Sequence, residues 1–327
     1  MQIGSIDTGA PVRLAPMADV SNVPFRLIAR RCGSGMTTSE EVDAEALIHE
    51  SVRARRTAEF LPEERPVALQ LLGGRAESMA EAANRLQDLG ADMIDVNMGC
   101  PVRKIVKKGK GSALMRDLPR TAEILSSLRK VLAIPLTIKI RGGWDDEHLN
   151  AVEVAQLAES EGVDAITVHP RTRSQQFTGL APWQIIGDVV DAVNIPVTGN
   201  GDVDSMAKAR RMMAETNCQA VKIGRGAMGR PSVFSDEYES LGREAQDEYR
   251  LNVISEHMEL IEEHLDERRA LIQMKKNLSW YISTGWRARF RRRELFECVT
   301  AAEAWDVFRR YWDLRLFEEE KLAAAAG

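Results

Sequence analysis

The chain has 327 residues, of which 44% are hydrophobic and 28% charged, and its formal net charge is −5. The hydrophobic fraction is sufficient for a packed core and argues against a disordered chain. The sequence contains no run of about 18 apolar residues, so no membrane span is predicted. The N-terminus lacks the basic and apolar segments of a secretion signal. We therefore expect a cytoplasmic protein without membrane contact, and nothing in the sequence implies an obligate protein partner. An acidic balance also argues, for the chain as a whole, against a nucleic-acid partner.

Eight short runs rich in β-branched residues recur at a mean spacing of about 30 residues, which is the length of a strand–helix–strand unit. Most of the runs are continuously apolar, as is typical of parallel strands buried on both faces. The predicted strands are Val12–Met17, Met36–Glu40, Val67–Leu72, Met93–Met98, Leu136–Arg141, Ala165–His169, Pro196–Asn200 and Ala220–Gly224.

Amphipathic patterns between these runs predict helices, among them Glu77–Leu89, Pro119–Val131, Ala151–Glu161 and Asp204–Ala214. Eight β/α units in about 235 residues favour an α/β fold of the TIM (β/α)8 barrel type. A doubly wound open sheet is the alternative.

The pattern changes after about residue 240, where strand signals stop and helix formers dominate. Helices are predicted at Glu244–Leu265, Ala270–Ser283 and Ala301–Ala325, with Gly285 and a basic segment separating the last two. The sequence therefore predicts two domains, a catalytic barrel over residues 1–240 and an all-helical domain over residues 241–327.

A cysteine lies directly after the fourth predicted strand, in the segment Asn97-Met98-Gly99-Cys100-Pro101. In a TIM barrel the loops that follow the strands carry the functional residues. A thiol with an ordinary pKa of about 8.5 is mostly protonated at neutral pH and can donate a proton to carbon. We therefore predict that Cys100 is a general acid. The other cysteines, Cys32, Cys218 and Cys298, have no paired spacing and are interpreted as buried filler, without a disulfide or metal site.

Glycine-containing turns follow the seventh and eighth strands, at Asn200-Gly201-Asp202 and Gly224-Arg225-Gly226. TIM barrels commonly bind phosphate at these two loops through backbone N–H groups. Lys139 and His169 end the fifth and sixth strands and are predicted to face the same barrel mouth. Together these residues indicate an aromatic, phosphate-bearing cofactor such as FMN, whose reduced ring a lysine can stabilise.

The sequence resembles the tRNA-dihydrouridine synthases, most closely the bacterial B-type branch. The resemblance covers essentially the whole barrel and extends more loosely into the helical tail. Its most specific element is the Asn97–Pro101 segment followed by Gly111-Ser112-Ala113-Leu114. The other matching stretches are Leu14–Ala18, Gln70-Leu71, Asp95–Pro101, Lys139–Trp144, His169–Arg173, Gly199–Asp202 and Gly224–Gly226.

This resemblance implies an FMN enzyme that takes hydride from NADPH and reduces the C5–C6 double bond of particular uridines in tRNA. It implies that reduced flavin gives hydride to uracil C6 and that Cys100 protonates C5. It further implies FMN contacts at Pro16, Met17, Gln70, Lys139, His169, Asn200, Gly201, Asp202, Gly224 and Arg225.

A tRNA substrate requires a cationic surface, and two windows of the sequence contain no acidic residue. The first, Val96–Arg116, follows the proposed acid, and the second, Arg268–Arg293, lies in the helical domain together with Trp280, Tyr281, Trp286 and Phe290. We interpret the cations as RNA contacts and the aromatic side chains as core. The predicted RNA-binding residues are Arg103, Lys104, Lys107, Lys108, Arg171, Arg173, Lys275, Lys276, Arg291, Arg292 and Arg293.

Two other functions remain open from the sequence. A small-molecule FMN enzyme, such as a dihydropyrimidine or ene reductase, explains the phosphate turns but gives the basic helical domain no role. A non-catalytic RNA-binding protein explains the basic windows, but the presence of Cys100, Lys139 and His169 argues against it.

Overall fold

The computed structural model describes residues 1–282 and 287–326. The chain forms two compact units. The first consists of Met1–Gly226 with Val233–Asp236, and the second of Ala227–Ser232 with the chain from Glu237 onward. This division differs slightly from the predicted boundary at residue 240, since Ala227–Ser232 packs with the helices. At Gly229, for example, an added Cβ would lie 2.5 Å from the Trp280 carbonyl oxygen.

Eight parallel strands form one sheet. They are β3 (Val12–Leu14), β4 (Thr37–Asp43), β5 (Val67–Leu72), β6 (Met93–Asn97), β7 (Leu136–Arg141), β8 (Ala165–His169), β9 (Val197–Asn200) and β10 (Ala220–Ile223), numbered after a short N-terminal hairpin described below. Their order in the sheet is β3-β10-β9-β8-β7-β6-β5-β4, so each strand from β4 to β10 neighbours the next along the chain, as in a TIM barrel. The Gly35 N–H donates to the Val12 carbonyl at 3.0 Å and joins the two ends of the sheet.

The predicted (β/α)8 barrel with C-terminal helices is thereby confirmed, and the open doubly wound sheet is excluded. Each barrel strand overlaps one of the eight predicted runs. The helices of the first unit are α1 (Val23–Arg31), α2 (Ala44–Ile48), α3 (Val52–Thr57), α4 (Ala76–Asp88), α5 (Arg103–Val106), α6 (Leu118–Val131), α7 (Ala151–Ser160), α8 (Gln184–Ala192) and α9 (Met206–Thr216), and α10 (Asp236–Ser240) begins at its last residue.

The barrel interior is polar at the level of the site. Gln70 and Thr137, on β5 and β7, both hydrogen-bond to Asp95 on β6, so these three side chains share the inner face. Because successive side chains of a strand point to opposite faces, the alternating apolar residues face the surrounding helices. The expectation that most of the strands are continuously apolar therefore does not hold on the inner face, where several strands carry polar side chains.

A short hairpin, β1 (Gln2–Ile3) with β2 (Ile6–Asp7), contributes to the core at the N-terminal end of the strands. Ile3 packs there in a buried cluster with Met36, Met93 and Ala165. Met36, Met93 and Ala165 begin or directly precede their strands, so this end of the barrel is filled with apolar side chains. The functional groups are left at the opposite, C-terminal end.

The second unit is all-helical. Its core joins Met258, Leu278, Phe308 and Trp312, which are at most 3% exposed. The basic segment predicted only as a separator forms a helix of its own, while Ser283, Gly285 and Trp286 lie outside the described residues. Its main helices are α11 (Arg243–His264), α12 (Glu267–Tyr281), α13 (Ala288–Glu297) and α14 (Ala301–Ala326).

Two further observations concern the described part of the chain. None of its helices is both long enough and apolar enough to cross a membrane. All four cysteines lie within it as free thiols, with Cys32, Cys218 and Cys298 buried and Cys100 partly exposed.

Candidate active site

The loop that follows β6 holds Cys100 in a defined position. Asn97 accepts hydrogen bonds through Oδ1 from the Gly99 N–H at 3.1 Å and the Cys100 N–H at 2.9 Å. The Ser112 N–H donates to the Cys100 carbonyl at 3.1 Å. Gly111 has φ +60°, and a Cβ there would lie 2.8 Å from the same carbonyl, so this position requires glycine. The Asn-x-Gly-Cys and Gly-Ser motifs thus form one local structure.

The Cys100 thiol is protonated over the ordinary pH range. Its Sγ lies 4.0 Å from Oε1 of Glu41 at the end of β4. Burial and then the nearby Glu41 charge raise the pKa of Cys100 to about 11. The side chain therefore has the protonation state of an acid and not that of a nucleophile.

A chain of hydrogen bonds connects Gln70 to this loop. The Asn97 Nδ2 donates to Oε1 of Gln70 at 3.0 Å and to Oε2 of Glu41 at 2.8 Å. Gln70 in turn donates through Nε2 to Asp95 at 2.7 Å, and Asp95 also accepts from Thr137. The polar side chains at this end of the barrel are therefore fixed by one another.

Lys139 lies beside Asn97, with which it pairs in the register of β6 and β7. Burial, followed by the neighbouring Arg141 and Lys222 charges, lowers the pKa of Lys139 to about 7. No hydrogen bond or ion pair of its ammonium is found among residues 1–282 and 287–326. An amine with this environment favours an anionic ligand, because a negative charge would compensate both burial and repulsion.

His169, at the end of β8, is 8% exposed. Burial lowers the pKa of its imidazole far below the usual range, and Lys139, Arg141, Arg171 and Arg225 lower it further. The imidazole is therefore neutral. Four basic side chains, Lys139, Arg141, Arg171 and Arg225, therefore lie close enough to this imidazole to disfavour its charged form.

The turn after β9 is held by Arg171 from the preceding loop. Arg171 donates to both carboxylate oxygens of Asp202, at 2.7 and 2.8 Å. The Asn200 Nδ2 donates to the Lys222 carbonyl at 2.7 Å. Gly201 has φ +122°, and a Cβ there would lie 3.1 Å from His169 Cδ2. This turn therefore lies directly against the end of β8.

The turn after β10 lies next to the loop after β3. The Ala15 N–H donates to the Ile223 carbonyl at 2.9 Å. A Cβ at Gly224 would lie 3.6 Å from Met17 Sδ, and Arg225 lies over the Phe177 ring at 4.7 Å. The structure thus brings the loop carrying Pro16 and Met17, both partly exposed, to the turn carrying Gly224 and Arg225.

All ten predicted cofactor residues therefore lie within about three residues of the C-terminal end of a barrel strand, and so does Cys100. The unpaired ammonium of Lys139, the surrounding cations and the glycine turns after β9 and β10 fit an anionic, phosphate-bearing group such as FMN. No cluster of three or more His, Cys, Asp or Glu side chains in the described ranges is arranged to hold a metal ion.

The predicted RNA contacts of the barrel fall into two groups. Arg103, Lys104, Lys107 and Lys108, on and after α5, are exposed, and no carboxylate within the described chain pairs with them. Lys110, in the same sequence window, is instead buried and paired with Asp43 and Glu45. A cationic patch of four side chains, here called the α5 patch, therefore lies close in sequence to Cys100.

Arg171 is a correction to the predicted RNA contacts. It is 2% exposed, and its guanidinium donates to Asp202 and to the carbonyls of Thr178 and Gly179. These internal bonds use its donors, so Arg171 supports a loop and does not face RNA. Arg173 is partly exposed and lies 4.8 Å from the Trp144 ring.

The basic segment of the second unit is partly neutralised in space. Arg291 pairs with Glu294 at 2.6 Å and Arg293 with Glu297 at 3.3 Å, although the sequence window itself lacks acids. Arg292 donates to the Ile282 carbonyl. Lys275 donates to the Phe296 carbonyl, and Lys276 lies over the Trp280 ring. Tyr281 belongs to the core as expected, whereas Phe290 is exposed.

Sequence reasoning missed Glu41, Asp95 and Arg141 as parts of the site. Glu41 lies one residue beyond the predicted end of its strand. Two adjacent carboxylates at a strand end, Glu40 and Glu41, could therefore have indicated a functional residue in the sequence. Arg141 donates to the Gly99 carbonyl at 2.7 Å and lies 5.6 Å from the Phe177 ring, a contact that only folding reveals.

Comparison with known proteins identifies the family of the chain. The sequence model of the dihydrouridine synthase (Dus) family matches residues 13–315. A tRNA-dihydrouridine synthase B of Pseudomonas aeruginosa is 40% identical over 277 residues, covering 83% of each chain. A probable tRNA-dihydrouridine synthase of Rickettsia bellii is 37% identical over 289 residues, covering 86% of this chain and 89% of the relative.

A solved structure of a 2-naphthoyl-CoA reductase superposes on 72% of this chain and 50% of its own, with a TM-score of 0.56 and 12% identity. This likeness concerns the fold alone. The family match covers both the barrel and most of the helical unit, and the identities extend over more than four fifths of the chain. The chain belongs to the dihydrouridine synthase family.

Proposed function

We propose that this protein is an FMN-dependent tRNA-dihydrouridine synthase that uses NADPH and reduces the C5–C6 double bond of specific uridines in tRNA. The observation that carries the proposal is the position of the Cys100 thiol, on a loop fixed by Asn97 at the end of the barrel that also carries the basic side chains proposed to bind the cofactor. Family membership supports the same reaction.

Bound FMN would supply the hydride that uracil C6 receives, after reduction by NADPH. We assign its binding to Pro16, Met17, Gln70, Lys139, His169, Asn200, Gly201, Asp202, Gly224 and Arg225. Lys139 would offer a positive charge to the flavin. Because its pKa is lowered to about 7, the free amine is only partly protonated at neutral pH, and an anionic partner would raise the pKa and increase the protonated fraction. His169 would act as a neutral hydrogen-bonding group, since its pKa lies far below neutrality.

Cys100 would donate its proton to uracil C5. The thiol suits this role because its pKa of about 11 keeps it protonated until the transfer. The proton is then available when uracil C5 acquires negative charge. The Asn97 bonds to the Gly99 and Cys100 N–H groups hold the sulfur on a fixed backbone, which limits the entropy lost in reaching the reactive geometry.

The RNA would be bound by phosphate contacts, for which the α5 patch offers four exposed cations. Arg173 and the second unit's Lys275, Lys276, Arg291, Arg292 and Arg293 are proposed as additional contacts. A uridine in folded RNA must leave its stack to reach the barrel mouth, at a cost of a few kcal/mol that pocket contacts offset.

The direct test is reconstitution. Purified protein should be yellow and release FMN on denaturation, and with NADPH it should form dihydrouridine in tRNA transcripts that lack modifications. Free uridine and uracil serve as controls, because a small-molecule reductase would reduce them equally well. A protein that cannot be loaded with FMN, or that reduces uracil but not tRNA, would contradict the proposal.

A further inference from the structure

We propose that Glu41 is a positioning residue that keeps the Cys100 thiol protonated and directed for proton transfer. The proposal rests on the proposed function in one respect, namely that Cys100 is the acid of the reaction. It concerns a side chain from β4 that neither the sequence motifs nor the family match assigns.

The carboxylate of Glu41 lies near the Cys100 sulfur and is connected to the loop backbone through Asn97. Glu41 Oε1 lies 4.0 Å from Cys100 Sγ, at the limit of a thiol hydrogen bond. Its Oε2 accepts from Asn97 Nδ2 at 2.8 Å, and Asn97 Oδ1 accepts from the Cys100 N–H at 2.9 Å. Glu41 therefore lies at the limit of hydrogen-bonding distance from the thiol and also fixes the loop through Asn97.

The charges around this pair favour a protonated sulfur. Burial raises the pKa of Glu41, Asp43 and Glu40 on the same strand raise it further, and the Cys100 hydrogen bond and Arg53 oppose the shift. Arg141 from β7 lowers the pKa of Cys100, yet burial and Glu41 outweigh it. Because Glu41 repels a thiolate, the proton of the pair stays close to sulfur.

Glu41 also affects the return of the acid to its starting state. When Cys100 gives its proton to C5, the S–H bond breaks, a C–H bond forms and the sulfur keeps the electron pair as a thiolate. That thiolate then lies next to a carboxylate, so the pair regains one proton from solvent, directly on sulfur or by way of Glu41. No oxidant or reductant is needed for this step.

Thiol reactivity tests the proposal without requiring catalysis. The rate at which iodoacetamide alkylates Cys100 is measured by peptide mass spectrometry from pH 7 to 10 in the FMN-loaded protein. Glu41→Gln should shift the profile by at least one pH unit toward acid, and so increase the rate at pH 8.5 about tenfold. Glu41→Ala should shift it in the same direction, and Glu41→Asp should restore slow reaction.

Glu40→Gln is the matched control, since it removes the adjacent carboxylate of the same strand and no contact with the sulfur. The proposal is overturned if Glu41→Gln and Glu41→Ala leave the alkylation profile unchanged, or if Glu40→Gln shifts it equally. Should Glu41→Gln not fold, the comparison of Glu41→Ala with Glu41→Asp decides alone.

A second readout separates this proposal from the proposed function. In Glu41→Gln, the alkaline decrease of kcat for dihydrouridine formation should move to lower pH while the KM for tRNA stays the same. If Cys100→Ala forms product normally, the assigned function of Cys100 fails, although the alkylation result for Glu41 would stand. An unchanged alkaline limb with a raised KM would instead assign Glu41 to substrate binding and overturn the positioning role.

Discussion

One guanidinium nitrogen of Arg171, Nη2, contacts both carboxylate oxygens of Asp202, at 2.7 and 2.8 Å, and this ion pair joins the loops after β8 and β9. Arg171 is buried, and the same guanidinium also satisfies the carbonyls of Thr178 and Gly179. A buried arginine bound in this way fixes the backbone that carries the proposed phosphate turn.

Arg171→Lys should therefore destabilise the barrel. An ammonium reaches fewer of these acceptors, so the free energy of unfolding should decrease by about 2 kcal/mol. For a unit of this size that corresponds to a Tm decrease of about 4–8 °C, measured by calorimetry. Arg211→Lys is the control, because Arg211 pairs with Glu215 on the surface and should change Tm by less than about 2 °C. Equal decreases in both variants would contradict the role of Arg171.

The same pair predicts a pH dependence. Burial alone would raise the pKa of Asp202, but the Ala181 N–H and Arg171 outweigh it, so the pKa is lowered in the folded protein. A carboxylate whose pKa is lowered by folding stabilises the fold at every pH above its unfolded pKa of about 3.9. This stabilisation is lost as the pH falls from that value through the lower pKa of the folded state. Asp202→Asn should therefore reduce the difference in Tm between pH 7 and pH 3.5.

Cys100→Ala should separate the two half-reactions. The variant should retain FMN and oxidise NADPH at the normal rate, because neither step needs the thiol. Dihydrouridine formation should decrease at least 100-fold, the usual contribution of a general acid. Mass spectrometry of digested tRNA measures the product. Cys298→Ala, in the second unit, should behave as the unmodified protein, and normal product formation by Cys100→Ala would remove the acid role.

Lys139 should make FMN binding pH-dependent. In the free site the pKa of Lys139 is about 7, and an anionic ligand raises it, so binding takes up a proton above pH 7. FMN affinity should consequently decrease by up to tenfold per pH unit above pH 7, as followed by fluorescence titration of the apoprotein. Lys139→Met should bind more weakly at pH 7 and lose this dependence. The exposed Lys130→Met should keep it.

Folding linkage has a defined sign for the same residue. The folded pKa of Lys139 lies below its unfolded value of about 10.4, so the unfolded chain binds more protons between these values. The stability of the apoprotein should therefore increase with pH from about 7 toward 10, and Lys139→Met should reduce that increase. An identical pH dependence of Tm in both proteins would contradict the depressed pKa.

The α5 patch should contribute to tRNA affinity. Lys107→Glu and Lys108→Glu each remove an exposed cation that no described carboxylate pairs with. Each variant should weaken tRNA binding and reduce the slope of log K against log salt by about one. Lys130→Glu, at the end of α6, is the matched control and should change neither quantity, while NADPH oxidation without tRNA should stay constant in all three. Equal slopes for Lys107→Glu and Lys130→Glu would exclude the patch from the interface.

The sequence by itself determined the barrel and predicted at which end of it the candidate site lies. Strand and helix periodicities repeat every β/α unit, and local patterns of this kind need no knowledge of distant contacts. The position of Cys100 directly after a strand was equally readable, since all parallel strands of a barrel end on the same side.

The tertiary structure decided how each charged side chain is used. Arg171 and Lys110 lie in basic stretches of sequence, yet folding buries both against carboxylates distant in the chain. Arg291 and Arg293 meet Glu294 and Glu297 one helical turn away. Glu41, which no motif marked, lies 4.0 Å from the Cys100 sulfur because β4 and β6 flank β5 and the three parallel strands end at the same edge of the sheet. Periodicity predicts which faces are buried, but charge pairing depends on which elements meet in space, and only the folded chain determines that.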